Sequence, residues 1–170
     1  MKQTLTFLAT ILYLSVVAQT KESLELKLDS TWKVGDDQQN ASQRIIDMLH
    51  PNETFDNWTE LVNMTTVKNV VGVPMDKAMN LMFEQAKQNA PKAKLTFLEK
   101  DENVYAPWII FLIEAPRFKN DKNPESQLWY IVQGKQALYT NFAALKKSTI
   151  PDEFKIKWTA FFKTGKIVNQ

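Results

Sequence analysis

The single histidine, His50, is the first residue whose type suggests catalysis, because imidazole exchanges protons near neutral pH. Asp47 and Asp56 lie close to it in the sequence, and Ser42 or a nearby threonine could serve as the nucleophile of a hydrolytic triad. The chain has no G-x-S-x-G elbow and no glycine-rich loop that would bind an oxyanion. A histidine that precedes a proline at the end of a strand is typically a surface or capping residue. We therefore predict no catalytic residues.

Carboxylates offer a second kind of chemistry. Asp56 and Glu60 could form the acid pair of a glycosidase, which keeps a carboxylate hydrolase as an alternative. Asp36 and Asp37 could bind Ca²⁺, but they lack the D-x-D-x-D-G…E spacing of a calcium loop. A turn at Asp36–Asp37 is favoured instead, and no metal site is predicted.

Cysteine is absent and the four glycines are scattered along the chain. The first observation excludes disulfides, thiolate metal ligands and cysteine nucleophiles. The second leaves no phosphate-binding loop, so we predict no cofactor. The formal net charge of +2 is too small to indicate nucleic-acid binding, so we predict no nucleic-acid partner.

Aromatic residues could form a ligand-binding cluster at the surface, with Trp108, Trp129 and Tyr130 as the candidates. Five tryptophans spread along one chain are more simply explained as parts of the hydrophobic core.

The first 18 residues have the pattern of a secretory signal peptide. Lys2 supplies the positive charge, Leu5 to Val17 form the apolar segment, and Ala18 precedes a cleavage site before Gln19. About 13 apolar residues are too few to span a bilayer. We predict residues 19–170 to be a single exported α/β domain without a transmembrane segment. Because cysteine is absent, the periplasm is its simplest location, and full secretion is the alternative.

Hydrophobic periodicity predicts the following elements. Leu24 to Leu28 indicate a strand, "VGDDQQN" a turn, and "RIIDMLH" a second strand or a helical turn. An apolar stripe between Pro74 and Pro91 predicts a helix, and "KLTFLE" and "YAPWIIFLIEA" predict strands, the second buried on both faces. "QLWYIVQGKQALYTNFAAL" predicts a hairpin with a type II′ turn at Gly134-Lys135, and a helix follows Pro151. The predicted fold class is α+β, an antiparallel sheet with helices packed on it.

"NETFDNWTELVNMT" is unusual because three of the four N-x-[ST] sequons of the chain start within it, at Asn52, Asn57 and Asn63; the fourth starts at Asn40. These are glycosylation sites or simply parts of the fold. In the second interpretation, Asp56 caps a short helical turn in which Trp58, Leu61 and Val62 face the core, and "VNMTTV" continues as a strand.

The charges are unevenly distributed. Residues 22–63 carry nine acidic and three basic residues, whereas residues 135–170 carry seven lysines and two acids. The two segments either form surfaces of opposite sign or attract each other within one domain.

Three segments, "NWTELVNM", "ESQLWYIVQGKQALYTNFAALK" and "WTAFFKTGKIV", together resemble a family of small exported bacterial proteins of unknown function. The resemblance implies the α/β/α sandwich of the Ran-release factor Mog and of the photosystem subunit PsbP. The chain departs from the family pattern in lacking a glycine before the acid of "NETFDNWTEL" and a C-terminal cysteine. The shared positions are packing and turn residues, so the resemblance implies no site residues.

These observations favour a non-enzymatic binding or assembly domain that recognises a protein or a small ligand in the cell envelope. A hydrolase of envelope polymers and an immunity- or inhibitor-type partner of a secreted enzyme are the alternatives. The sequence leaves the oligomeric state open.

Overall fold

The computed structural model describes residues 22–119 and 123–169. The predicted signal peptide and its cleavage site lie outside these residues. The elements in chain order are β1 (Glu22–Glu25), β2 (Lys33–Gln39), β3 (Gln43–Leu49), β4 (Glu60–Lys68), α1 (Met75–Asn89), β5 (Lys94–Asp101), β6 (Trp108–Ala115), β7 (Glu125–Gln133), β8 (Ala137–Leu145), α2 (Asp152–Phe162) and β9 (Lys166–Asn169).

Seven of these strands form one antiparallel sheet in the order β2-β3-β4-β8-β7-β6-β5. Strands β1 and β9 pair with each other as a separate antiparallel ribbon. The predicted α+β class, an antiparallel sheet with helices packed on it, is confirmed.

Strand β6 shows how the helices are placed. Its residues Ile109, Phe111 and Ile113 pack in the same core cluster as α1, whereas Ile110 and Leu112 pack in the cluster that contains α2. Because successive side chains of a strand point to opposite faces, the two helices cover opposite faces of the sheet. We name these the α1 face and the α2 face. The prediction that this strand is buried on both sides is confirmed.

Both predicted helices are confirmed. Helix α1 follows Pro74 and ends before Pro91, and its residues Met75, Ala78 and Met79 are buried. Helix α2 follows Pro151 and buries Phe154, Trp158 and Phe162. Neither helix in the described part of the chain is long and apolar enough to cross a membrane.

The turn predicted for "VGDDQQN" is wrong, because Lys33–Gln39 is strand β2, with a bulge at Gly35. This strand lies at the edge of the sheet and is exposed along most of its length. An edge strand that buries little surface needs no alternating apolar residues, and charges on it prevent pairing with other chains. Its sequence therefore resembles that of a turn.

The helical turn predicted after Asp56 is also wrong. Residues 55–57 form a turn, strand β4 begins at Glu60, and Leu61 and Val62 point to opposite faces of the sheet. The strand over "VNMTTV" is confirmed as part of β4.

The predicted hairpin is confirmed as β7 and β8, but its type II′ turn is wrong. The φ angle of Gly134 is not in the positive range that such a turn requires at its first central residue. Glycine is needed there for space, since a Cβ atom at this position would lie 2.1 Å from Oε1 of Glu22. The first strand was predicted over Leu24 to Leu28 but ends at Glu25, and β9 had no counterpart in the sequence analysis.

Candidate functional site

Helix α1 covers only part of its face of the sheet. It packs mainly on β6 and β7, where Ile109, Phe111 and Ile131 are fully buried. On the same face of β3, β4 and β8, side chains such as Ile45, Asp47, Asn63, Thr65 and Phe142 are only partly buried. The part of this face toward the β2 edge is therefore partly accessible, while Leu49, Thr140 and Ala144 on it are buried.

The strand register aligns one residue from each strand of this accessible region. Asp36 of β2 is the cross-strand partner of Asp47, which pairs with Asn63 of β4. Asn63 pairs with Phe142 of β8, which pairs with Trp129 of β7. We name these five residues the open row. Directly opposed residues have Cβ atoms about 4.5–5.5 Å apart, so the open row is a continuous line of neighbouring side chains.

The aromatic end of the open row is fixed in place by its neighbours. The Trp129 ring is parallel to the buried Phe111 ring, with 6.0 Å between the ring centres and an interplanar angle of 3°. Phe142 lies on its other side at 4.7 Å between ring centres. The indole Nε1 donates a hydrogen bond to Oε1 of Gln127 at 2.9 Å. A rigid, partly exposed indole of this kind can bind an apolar chain or a cation.

The acidic end of the open row is held by hydrogen bonds from neutral amide side chains. Nδ2 of Asn63 donates to Oδ1 of Asp47 at 2.8 Å, and Nε2 of Gln38 donates to Oδ2 of Asp36 at 2.6 Å. Within the described ranges, neither Asp36 nor Asp47 forms an ion pair. Burial raises the pKa of Asp47, the charge of Asp36 raises it further, and the bond from Asn63 opposes the increase.

The two ends suit one kind of ligand. An incoming cation would relieve the repulsion between the two carboxylates, and an attached apolar chain could pack on Trp129 and Phe142. Lysine and arginine side chains have both properties, because each joins a charged head to an apolar stem. The arrangement therefore suits a group that joins a positive charge to an apolar chain.

The catalytic triad considered in the sequence analysis, with His50 as its base, does not form in the structure. His50 lies on the α2 face, where its ring centre is 4.3 Å from that of Trp32 and its Nδ1 is 3.0 Å from the Thr31 carbonyl oxygen. Asp47 lies on the opposite face. The Ser42 hydroxyl donates to Oδ1 of Asn40 at 3.0 Å. His50 was expected to be a surface or capping residue, and in the structure its ring packs against Trp32.

The carboxylates considered from the sequence also separate. Glu60 forms an ion pair with Lys157 of α2 at 3.1 Å, while Asp56 is exposed in the preceding turn. Asp37 pairs with Arg44 at 2.7 Å. The described residues contain no group of three or more histidine and acidic side chains placed to hold a metal ion. Sequence reasoning missed the pairing of Asp36 with Asp47, since it assigned Asp36 to a turn.

The proposed aromatic cluster is divided by the sheet, with Trp129 on the α1 face and Trp108 and Tyr130 on the α2 face. Two sequon asparagines have structural roles in this region. Oδ1 of Asn57 accepts a hydrogen bond from the Thr54 N–H at 2.6 Å, and Asn63 belongs to the open row. Of the clustered sequon asparagines, Asn63 is therefore the one that belongs to the candidate site.

No known protein family and no curated protein sequence matches this chain. The role of the open row therefore has to be argued from its chemistry.

Proposed function

We propose that the protein is an exported, non-enzymatic binding domain whose open row recognises a basic protein surface in the cell envelope. The observation that carries this proposal is the line of side chains in which Asp36 and Asp47, without ion-pair partners in the described chain, are followed by Asn63 and then by the partly exposed Phe142 and Trp129. The predicted signal peptide supports export, and the absence of cysteine agrees with a periplasmic location.

The shape of the open row supports a macromolecular partner. Five neighbouring strands at about 4.8 Å spacing make the row about 19 Å long. A line of this length on an open sheet is suited to several residues of a partner, whereas a small molecule is normally enclosed on most sides. If the basic partner is a secreted enzyme, the same surface would make the protein an inhibitor of the immunity type.

The finer fold assignment is part of this proposal. Helices on opposite faces of an antiparallel sheet support an α/β/α sandwich of the kind found in PsbP and Mog. Binding and assembly roles are common in that fold, although a shared fold does not determine function.

A hydrolase is the second candidate, and one observation favours it. The pKa of Asp47 is raised by burial and by neighbouring Asp36, which is the pattern of an acid and base pair. This candidate requires that Asp47→Asn and Asp36→Asn each abolish the cleavage of an envelope polymer such as peptidoglycan. Hydrolysis that survives both substitutions, or that is never observed, eliminates it.

Site-specific crosslinking tests the binding proposal. A photoreactive amino acid replaces Ile45, which flanks the open row on β3, and in a control protein it replaces Ile156, which is 68% exposed on α2. Both full-length proteins are produced in the native cell and irradiated. We expect an adduct with a basic protein at position 45 and not at position 156, and we expect about 0.5 M salt to weaken it.

Removal of both carboxylates completes the test. Asp36→Asn together with Asp47→Asn should abolish the adduct at position 45, while Asp37→Asn, on the opposite face, should leave it unchanged. Equal adducts at positions 45 and 156, or an adduct that persists in the double variant, would contradict the proposal.

A further inference from the structure

The α2 face contains a cavity that the proposed function does not use. Its volume is about 160 Å³, and it lies between the sheet, the end of α2 and the ribbon of β1 and β9. Its lining includes the apolar or aromatic side chains of Leu24, Trp108, Tyr130, Val132 and Ile167, with Lys163 as the one charged residue among its lining side chains. The open row lies on the other face of the sheet, so the two sites are separate.

Tyr130 supplies a hydroxyl donor at the cavity. The residue is only 4% exposed, and its hydroxyl makes no hydrogen bond with the residues that the structure describes. Burial raises the pKa of this hydroxyl to about 12, so it stays protonated at physiological pH. Because its side chain lines the cavity, this hydroxyl can donate a hydrogen bond to a bound ligand.

Lys163 supplies a cation beside the same cavity. Its Nζ lies 5.3 Å from the centre of the Trp108 ring and 2.8 Å from Oε2 of Glu99. The ion pair with Glu99 is partly exposed, and such pairs contribute little stability. A ligand anion can therefore share or replace Glu99 as the partner of this ammonium group.

We infer that this cavity binds a small monocarboxylic acid with an aromatic or branched apolar body. The apolar and aromatic side chains would pack against the body, while the Tyr130 hydroxyl and the Lys163 ammonium group donate hydrogen bonds to the carboxylate. An apolar cavity of about 150 Å³ holds a benzene molecule, so a ligand close to benzoate in size is expected.

Fluorine NMR of 4-fluorobenzoate with the purified full-length chain tests this inference. The neutral analogue 4-fluorobenzyl alcohol and the cationic analogue 4-fluorobenzylamine are the ligand controls. We expect the benzoate to bind at millimolar concentration or below and at least about tenfold more tightly than either analogue, which is the scale of a charge-assisted hydrogen bond.

Four variants locate the site. Lys163→Met and Tyr130→Phe should each weaken benzoate binding several-fold, because each removes one donor and keeps most of the side chain. Glu99→Gln should strengthen binding, because it removes the competing carboxylate. Lys155→Met, which removes a lysine of α2 that lies outside the cavity, should have no effect.

Two results would overturn the inference: equal affinity for all three ligands, and benzoate binding that is unchanged by both Lys163→Met and Tyr130→Phe. Failure of benzoate to bind would overturn it as well. The Asp36→Asn and Asp47→Asn double variant should retain benzoate binding, so this experiment and the crosslinking experiment can fail independently.

Discussion

Asp37 and Asp47 belong to the same pair of strands, yet their surroundings shift their pKa values in opposite directions. The hydrogen bond from Arg44 lowers the pKa of Asp37. Burial and the nearby charge of Asp36 raise the pKa of Asp47. The ionised form of Asp37 therefore favours folding, whereas the ionised form of Asp47 opposes it.

Replacement of Asp47 by asparagine should increase stability at neutral pH. The folded-state pKa of Asp47 lies above its ordinary value of 3.8. Its ionisation therefore destabilises the protein above the folded-state pKa and has no effect well below 3.8. Asp47→Asn removes this charge and keeps an oxygen that can accept the bond from Asn63. We expect a small increase in the midpoint of thermal unfolding at pH 7 and none at pH 3.

Asp37→Asn is the matched control, with the opposite sign. The Asp37 carboxylate stabilises the fold above its ordinary pKa of 3.8, and this contribution is lost as the pH falls through the lower folded-state pKa. The variant should be less stable than the wild type at pH 7 and approach it in acid. Unfolding curves at several pH values that show the same sign for both variants would contradict this explanation.

Individual residues of the open row could be named from the sequence, but their arrangement could not. Asp47 and Trp129 were both considered there, one as part of a triad and the other as part of an aromatic cluster. Their proximity arises because β4 and β8 pair across 9 residues in one register, which brings Asn63 beside Phe142. Single-sequence periodicity shows which face a residue occupies and does not show which distant strand lies beside it.

At the scale of elements, Glu22 connects the β1–β9 ribbon to the tip of the β7–β8 hairpin. Its carboxylate accepts hydrogen bonds from the N–H groups of Lys135 at 2.9 Å and Gln136 at 3.2 Å, and from the Tyr139 hydroxyl at 3.2 Å. The Glu22 residue is 8% exposed. Gly134 leaves the space that the carboxylate occupies.

Gly134→Ala should therefore destabilise the protein by displacing Glu22. The added methyl group would lie 2.1 Å from Oε1, so the carboxylate must move and its hydrogen bonds must weaken. Loss of such bonds to a charged group costs about 1–3 kcal/mol in the free energy of unfolding. Urea denaturation of the purified protein measures this change.

A double-mutant cycle separates this mechanism from a general effect of alanine. Glu22→Ala removes the carboxylate. In that background, Gly134→Ala should lower the free energy of unfolding by at least about 1 kcal/mol less than it does in the wild type. Additive changes would show that displacement of Glu22 is not the cause. Gly72→Ala is a contrasting control, because Gly72 has a φ of +67° and no atom within 4 Å of the added methyl group. Its cost should reflect backbone strain and be independent of Glu22.

The elements that the sequence predicted well are those that bury a continuous apolar surface. Helix α1 and strand β6 have strong periodic patterns because each packs against the core along much of its length. Strand β2 was missed because its one neighbour is β3 and its side chains are mostly exposed. Strand β9 was missed because four residues carry too little pattern, and its pairing with β1 joins the two ends of the described chain.

At the scale of the whole molecule, the acidic and the lysine-rich segments meet at Lys157. This residue of α2 forms an ion pair with Glu60. Hydrogen bonds from Thr31 are the main cause that lowers the pKa of Asp29, and the charge of Lys157 lowers it further. Asp36 and Asp47 lie on the other face of the sheet, away from α2. Both interpretations of the charge pattern therefore apply in part. Some charges of the two segments attract each other across the domain, and others form a separate acidic surface.

The burial of the strands increases from the β2 edge of the sheet to its centre. Strands β7 and β8 are buried along most of their length, whereas β2 is exposed at six of its seven residues. Amides of the central strands should exchange with solvent only through global unfolding, but β2 can separate from β3 without opening the core. We expect protection factors in β2 to be at least about 100-fold lower than in β7 and β8, equivalent to about 2.7 kcal/mol.

This gradient connects stability with the proposed binding surface, because Asp36 of the open row lies on β2. A basic partner that holds Asp36 and Asp47 together would selectively oppose the opening of β2, since binding to the closed form alone stabilises it by mass action. Native-state hydrogen exchange followed by mass spectrometry, with and without the partner identified by crosslinking, measures both effects. Bound partner should raise protection in β2 and β3 and leave β5 unchanged. Uniform protection across the sheet in the free protein would contradict local opening, and equal increases at β2 and β5 would show that the partner does not bind at the open row.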